Sequence, residues 1–328
     1  MSNNSLQGLP IPTATIVIDS INVGVCTMAL FSTGIFLLLW LKYSALRQKL
    51  SFVQSTLVIC DFLFAFGFTI QTSDSLRNHY INSWFTNLYC LILNIPKHLG
   101  QCLVLNFTLL LAVERFLSFR KPYWAKYLNK SQRLQIVILL TVIVPTCAFI
   151  GAEFVGVDYN APNKSCRPSD IRINLLKPMF SAQIGIIGLL IVAIYAAIFS
   201  TIKKNAKHFE QKFNNKKEEK RRFFKNVKAS RLVLILIILC ILFYVIPNII
   251  LTAFTYLGYM TLGDSGLYVS LTAVCCPLFC FPVYMWKDVN VRYHLLIFMN
   301  IKTEGITVTV TPLNDFNTMR TVGKDATR

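Results

Sequence analysis

Long apolar segments separated by short polar stretches dominate the pattern of hydrophobic and polar positions along the chain. Each is long enough to cross a hydrocarbon core as an α-helix, which takes about 20 apolar residues. The strands of a β-barrel would instead alternate in polarity over about ten residues. The pattern therefore predicts an all-α bundle of seven membrane-spanning helices, in the segments Val23–Leu41, Phe52–Thr72, Cys90–Phe116, Leu134–Val155, Met179–Ile202, Leu232–Tyr256 and Leu267–Met285.

Charge and composition set the expected orientation and the expected partners. The chain is 54% hydrophobic, and its net charge is +18. Most of the 33 Lys and Arg residues lie in the connections on one side of the predicted membrane and in the C-terminal tail. This bias predicts an extracellular N-terminus and a cytoplasmic C-terminus. Because no soluble domain remains to bind nucleic acid, the expected surroundings are a lipid bilayer and nucleic acid is not an expected partner.

The same pattern divides the chain into three parts. Residues 1–15 form a predicted extracellular tail without a recognisable cleavable signal peptide, so the first helix is expected to act as an uncleaved anchor. Residues 16–296 form the predicted seven-helix domain, including a short amphipathic segment after the last helix. Residues 297–328 are polar and threonine-rich, which predicts a disordered cytoplasmic tail.

Eight of the ten cysteines fall within apolar segments, where we expect them to pack as small side chains. Cys90 and Cys166 are the two on the predicted oxidising side, and we therefore expect them to form a disulfide. The same side carries two N-glycosylation acceptor patterns, beginning at Asn3 and Asn163.

The third apolar segment places Cys90 and Arg115 at opposite membrane faces, because about 25 helical residues rise about 37 Å. At about 100° per residue the two share one face of the helix. Glu114 is expected to hold Arg115 inward at rest and to release it toward a cytoplasmic partner. The alternative is an arginine that only reaches for the lipid interface. Pro122 is expected to end this helix.

Two charged residues lie inside the predicted membrane. Asp61, in the middle of the second segment, is interpreted either as an ion or proton site that rearranges on activation or as a hydrogen-bonded structural acid. Lys97 and Gln101 share a face about one turn apart and are candidates for binding an acidic or carbonyl-bearing ligand. The alternative is a lysine neutralised by helix ends or by Glu153.

Aromatic residues and prolines suggest where the bundle bends. Phe243 and Tyr244 precede Pro247 in the sixth segment, and we expect a hinge there with both aromatics beside the ligand pocket. Pro277 lies in the seventh segment. Tyr195, near the inner end of the fifth, is expected to meet Arg115 when the bundle rearranges.

Together these features resemble the rhodopsin-like G-protein-coupled receptors. The likeness runs through Asp61, Trp84, Cys90, Glu114-Arg115-Phe116, Pro122, Cys166 and Pro247, and it covers nearly the whole chain. It is greatest to the nematode serpentine chemoreceptors, through residues 114–119 and 286–292. Departures include Val245, where the family commonly has tryptophan, and Cys276-Pro277-Leu278-Phe279-Cys280 in place of Asn-Pro-x-x-Tyr.

The resemblance implies a receptor that binds an extracellular small molecule or peptide and activates a heterotrimeric G protein, at the plasma membrane and in the cilia of sensory neurons. No cofactor, metal or catalysis is expected, since the four histidines are scattered. The competing hypothesis is a transporter or channel that uses Asp61 and Lys97. Against it, the chain shows no paired half-repeats with broken helices.

Overall fold

The computed structural model describes residues 13–81, 84–163, 166, 176–212, 232–257 and 262–301, and these residues are mostly helical. Asn3 and the C-terminal tail beyond residue 301 lie outside the described residues. The helices are α1 (Thr13–Lys42), α2 (Ser44–Lys49), α3 (Phe52–Ile81), α4 (Asn87–Arg120), α5 (Pro122–Lys130), α6 (Gln132–Ala152), α7 (Leu176–Lys212), α8 (residues 232–256), α9 (Leu262–Lys287) and α10 (Val289–Phe298).

Seven of these helices correspond to the predicted spans. Among the described residues, α1, α3, α4, α6, α7 and α8 each contain a stretch long and apolar enough to cross a membrane. A shorter apolar stretch, Leu271–Lys287, lies in α9. The short helices α2, α5 and α10 connect or follow these spans. The predicted seven-helix membrane bundle is therefore confirmed.

The centre of the bundle is the contact between α3 and α4, where two glycines let the backbones approach closely. A Cβ atom on Gly67 of α3 would lie 2.2 Å from the backbone nitrogen of Lys97. A Cβ atom on Gly100 of α4 would lie 2.5 Å from the Cα of Phe64. Small residues at such positions let membrane helices pack tightly. The contact fixes α4, and the residues it carries, against α3.

The other spans surround this pair. α1 packs against α3 and α9, α4 packs against α7, and α9 packs against α8. α6 is the most peripheral of these helices, with only Thr146 and Ile150 buried. This arrangement leaves α4 in the middle of the bundle, consistent with its long run of buried residues.

The first helix begins at Thr13, ten positions before the predicted start at Val23. Asp19 lies in this added part and is buried, with its carboxylate accepting a hydrogen bond from the Ser75 hydroxyl (3.2 Å). Hydropathy underestimated the length of the helix because polar residues such as Asp19 lower the apolar average even where they are buried. Likewise, α3 continues past Thr72 to Ile81, since Ser75 and Asn78 are buried.

The two ends of α4 mark the two ends of the bundle. At one, which we call the disulfide end, the strands β1 (Phe85–Thr86) and β2 (Pro162–Asn163) pair antiparallel. At the other, the arginine end, α4 finishes at Arg120, and α5 begins directly afterwards with Pro122 at its first position. Pro122 thus ends the helix as expected, because its ring cannot continue the backbone hydrogen bonding.

Candidate ligand pocket and switch region

The disulfide end is held by a bond between Cys90 of α4 and Cys166. Their Cα atoms are 4.9 Å apart, and both residues are buried. Asn94, one turn along α4, donates hydrogen bonds from Nδ2 to the carbonyls of Cys90 (2.7 Å) and Cys166 (3.0 Å). The expected disulfide is therefore present, and it attaches the loop after α6 to the start of α4.

Asn163 takes part in the same loop packing. Its Nδ2 donates to Oδ1 of Asn87 (3.1 Å), and its Oδ1 accepts from the backbone nitrogen of Cys166 (3.0 Å). The residue is 8% exposed. A glycan on this nitrogen would replace one of its two N–H groups and leave a single donor for Asn87. Glycosylation at Asn163 stays a prediction.

Removing the disulfide is expected to reduce the amount of folded protein. The bond closes a loop with a sequence separation of 76, and such a bond typically contributes about 2–5 kcal/mol. Cys90→Ser, Cys166→Ser and the double variant should each lower the thermal unfolding temperature of the purified protein by a similar amount. Cys147→Ser, which changes an exposed free thiol, is the control. Clearly different decreases in unfolding temperature for the two single variants would contradict the assignment of a Cys90–Cys166 bond.

Lys97 is buried between α4 and α3. Its Nζ donates a hydrogen bond to Oε1 of Gln71 (2.8 Å) and lies 4.2 Å from the ring centroid of Phe68. The side chain is only 5% exposed. The lysine therefore has protein contacts already, and a ligand that binds it must replace the bond to Gln71.

Two of the four predicted pocket residues line a narrow crevice in the bundle core. Gln101 of α4 and Tyr244 of α8 face it, and the remaining lining comes from α3, α4, α8 and α9 (Phe64, Val104, Cys240, Ala273, Cys276 and Pro277). The crevice has room for about one water molecule. Phe243 instead stacks on Phe279 of α9, with ring centroids 5.5 Å apart. A larger ligand therefore requires α8 and α9 to separate from α4.

Asp61 is buried in the middle of α3 and faces the bundle interior, as its charge requires. Three thiols connect it to α8: Cys280 donates to the Asp61 carboxylate, and Cys276 is in hydrogen-bond contact with both Cys280 and Cys240. These cysteines were expected only to pack. Hard cations prefer oxygen ligands, so a thiol-rich surrounding disfavours sodium at Asp61.

The sixth span contains an irregular turn just before Pro247. Residues Ile241–Val245 form one turn of π-helix, closed by the Ile246 amide donating to the Ile241 carbonyl. Val245 fits against Gly188 of α7, where a Cβ atom would lie 2.5 Å from the valine Cγ1. Turns of this kind are frequent at functional positions in helices. The predicted hinge thus combines a proline with a π-turn that the sequence did not reveal.

At the arginine end, Glu114 is bonded to neighbouring segments. Its carboxylate accepts hydrogen bonds from the Ser51 hydroxyl (2.8 Å) and from Nδ2 of Asn129 in α5 (3.2 Å). Oδ1 of Asn129 in turn accepts from the backbone nitrogen of Phe52, which begins α3 (2.9 Å). Within the described residues no ion pair joins Glu114 to Arg115, which differs from the expected arrangement.

Arg115 instead faces the aromatic hydroxyls of two other helices. Tyr195 of α7 and Tyr284 of α9 both lie within electrostatic range of its guanidinium. The Arg115 Nε and the Tyr195 hydroxyl are buried, and neither makes a hydrogen bond to the described part of the chain. Buried polar atoms without partners are costly, which favours a rearrangement or a partner that satisfies them. Tyr195 is already within electrostatic range of Arg115, and their meeting when the bundle rearranges stays a prediction.

Tyr284 was missed by the sequence analysis. It is buried and packs on Phe36 of α1, with ring centroids 4.7 Å apart. Its electrostatic neighbours include Asp61 as well as Arg115. The available signal was its spacing, since Tyr284 follows Cys280 by one helical turn and faces the same side of α9. Pro277, five residues before Pro282 in the same helix, lines the crevice.

Comparison with known families decides the class of the protein. The sequence model of the 7 transmembrane receptor (rhodopsin family) matches residues 33–290. The chain belongs to the rhodopsin family of seven-transmembrane receptors. A search of the curated proteins finds no match to the chain.

Membership in the rhodopsin family agrees with the helical bundle and makes the chain a multi-pass membrane receptor. The matched range includes every site residue from Asp61 to Pro277, with the disulfide, the hinge and Arg115. Receptors of this family respond to ligands and act on partners without catalysing a reaction of their own. The contacts with a ligand and with a partner are therefore expected at the two ends of the bundle, the disulfide end and the arginine end.

Proposed function

We propose that this rhodopsin-family protein is a G-protein-coupled receptor that binds an extracellular small molecule or peptide and activates a heterotrimeric G protein. The observation that carries the proposal is the arginine end of α4, where Arg115 and Tyr195 present buried polar atoms without hydrogen bonds to the described part of the chain. A partner entering between α4, α7 and α8 would supply acceptors for both. The positive-inside bias supports placing this end in the cytoplasm.

Activation would proceed through the hinge in α8. Its π-turn and Pro247 give a point of bending, and the inner half of the helix would move away from α4. Movement would also separate Cys240 from Cys276 of α9, which breaks the thiol chain to Asp61. Asp61 is thus a polar hub whose bonds differ between the two states. A ligand shifts this equilibrium only by binding the moved state more tightly.

The proposed ligand pocket lies toward the disulfide end and includes Lys97, Gln101, Phe243 and Tyr244. Gln101 and Tyr244 already face one crevice. Lys97 joins them once its bond to Gln71 is replaced by an acidic or carbonyl-bearing group of the ligand. The bond to Gln71 already uses the lysine charge, so an acidic ligand gains by bringing a full negative charge in place of a neutral amide oxygen.

The resemblance to nematode serpentine chemoreceptors further supports a chemosensory role, with the receptor at the plasma membrane and in sensory cilia. We propose no catalytic activity, cofactor or metal for it. Asn3 and Asn163 remain the proposed glycosylation positions of the extracellular side.

The proposal is tested with the purified receptor in lipid nanodiscs. Guanine-nucleotide exchange on heterotrimeric G proteins of each class is measured while a library of small acids, carbonyl compounds and peptides is screened. A ligand that stimulates exchange is then tested on Lys97→Met, which keeps the length of the side chain but removes its charge. We expect the concentration for half-maximal response to rise about tenfold or more. The matched control is Lys287→Met, an exposed lysine at the opposite end.

A transporter or channel is the second candidate, carried by the buried charges Asp61 and Lys97. Liposomes containing only this protein distinguish the two functions. Flux of the stimulating compound that is lost in Asp61→Asn, together with no exchange on any G protein, would favour transport and contradict the receptor proposal.

A further inference from the structure

The short helix α5 carries an exposed aromatic face at the edge of the membrane. Tyr123 is 75% exposed, Trp124 54% and Tyr127 47%. Trp124 and Tyr127 contact each other edge to face, with ring centroids 6.2 Å apart. At about 100° per residue, the three aromatics occupy one sector of about 100° on the helix. Exposed aromatics gathered on one face indicate a surface that is covered when the receptor is in place.

The ends of α5 fix its depth in the bilayer. One residue, Lys121, separates its start from the end of α4 at Arg120, and one residue, Ser131, separates its end at Lys130 from the start of α6 at Gln132. Both neighbours are membrane spans, so α5 lies at the height where the hydrocarbon core meets the headgroups. Tryptophan and tyrosine are enriched at this height because their rings are apolar and their N–H or O–H groups are polar.

The charge around α5 has one sign. Arg120, Lys121, Lys130 and Arg133 are exposed beside the aromatic face. No Asp or Glu occurs anywhere between Arg115 and Ala152. An aromatic face flanked by basic residues is the arrangement of helices that lie in the interface of anionic membranes. Each such lysine or arginine near the surface adds about 1 kcal/mol of attraction to anionic lipid.

We infer that α5 is an interfacial anchor whose aromatic face inserts among the headgroups and whose basic residues bind anionic phospholipid. The opposite side of α5 is bonded to the receptor through Asn129, whose amide reaches Glu114 and the first residue of α3. One hydrogen-bond network therefore joins the lipid-facing helix α5 to Glu114, the residue next to Arg115. Lipid composition at α5 is thereby connected to the arginine end of the bundle.

The test measures where Trp124 lies. The full-length receptor and Trp124→Phe are reconstituted in vesicles containing lipids brominated near the top of the acyl chain, and the difference in their fluorescence reports Trp124. We expect brominated phosphatidylserine to quench this signal more strongly than brominated phosphatidylcholine, with about fivefold enrichment of the anionic lipid. Iodide added to the aqueous phase should quench it weakly.

Two further variants separate charge from insertion. Lys121→Gln with Lys130→Gln removes two of the four exposed basic residues and should reduce the preference for brominated phosphatidylserine, while Trp124 stays protected from iodide. The matched control is Trp84, which is 53% exposed at the disulfide end and should show no preference for phosphatidylserine. Strong iodide quenching with no quenching by either brominated lipid would overturn the inference. So would protection of Trp124 that appears only when a G-protein heterotrimer is added, because α5 would then be a protein-docking surface.

Discussion

Arg115→Ala is expected to remove most of the nucleotide exchange on the G protein while the receptor still reaches the cell surface. The guanidinium lies at the arginine end within electrostatic range of Tyr195 and Tyr284, and its Nε has no hydrogen bond within the described residues. In the proposed active state it gains a charge-assisted bond, which typically contributes about 1.5–3 kcal/mol. Losing that bond should lower ligand-stimulated exchange about tenfold to a hundredfold.

The matched control for this prediction is Arg120→Ala. Arg120 is the same residue type five positions further along α4, but it is exposed and its guanidinium lies over the ring of Phe116. We expect this variant to couple nearly as well as the wild type. Arg115→Lys keeps the charge but lacks the planar set of guanidinium N–H donors, so it should retain only part of the nucleotide exchange of the wild type. Equal exchange rates for Arg115→Ala and the wild type would rule out the proposed role of Arg115.

Gly67→Ala is expected to cause the largest loss of stability among single-methyl changes in the bundle. The added Cβ would lie 2.2 Å from the backbone nitrogen of Lys97 and 2.6 Å from the backbone carbon of Pro96. Because those atoms belong to a helix backbone, neither can move without displacing α4. Overpacking of this kind costs about 1–3 kcal/mol, and rigid backbone neighbours place Gly67→Ala at the upper end.

The measurement is the thermal unfolding temperature of the purified receptor in one detergent, together with the number of receptors at the cell surface. Gly24→Ala serves as the control, because a Cβ at Gly24 meets nothing within 4 Å. In a helix this exposed change should stabilise by up to about 1 kcal/mol, since alanine is the better helix former. The same unfolding temperature for both variants would show that α3 and α4 do not approach as closely as described.

The two predictions test different parts of the argument. The glycine substitutions report whether α3 and α4 pack as the fold requires, and they need no G protein. Arg115 reports on coupling and leaves the packing intact. A receptor that fails the first test but passes the second would have the proposed function on a different helix arrangement. The reverse result would keep the fold and remove the function.

Several features could be predicted from the sequence because each depends on a local property of the chain. Apolar length alone predicted seven spans, and Pro122 predicted the end of α4. The Cys90–Cys166 bond followed from position, since these are the two cysteines on the predicted extracellular side. The family resemblance was carried by short motifs around Asp61, Arg115 and Pro247, and the match over residues 33–290 confirms it.

Polar residues at the ends of spans were predicted less well, because their exposure depends on the neighbouring helix. The sequence placed the start of the first helix at Val23, yet α1 begins at Thr13 and buries Asp19 against Ser75. Hydropathy treats an aspartate as a residue that seeks water. The hydrogen bond from Ser75 of α3 allows the aspartate to be buried, and that partner cannot be recognised from the sequence of α1 alone.

The chain by itself determined the helices, their order and the two ends at which chemistry is concentrated, because these depend on composition within about 20 residues. Only the tertiary structure decided which polar groups meet. Within the part of the chain that the structure describes, Glu114 accepts hydrogen bonds from Ser51 and Asn129 and makes no ion pair with Arg115. Lys97 donates to Gln71, and Asp61 is bonded to a chain of thiols from α8 and α9. Hydrogen bonds act over about 3 Å, so partners far apart in sequence are chosen by how the helices pack.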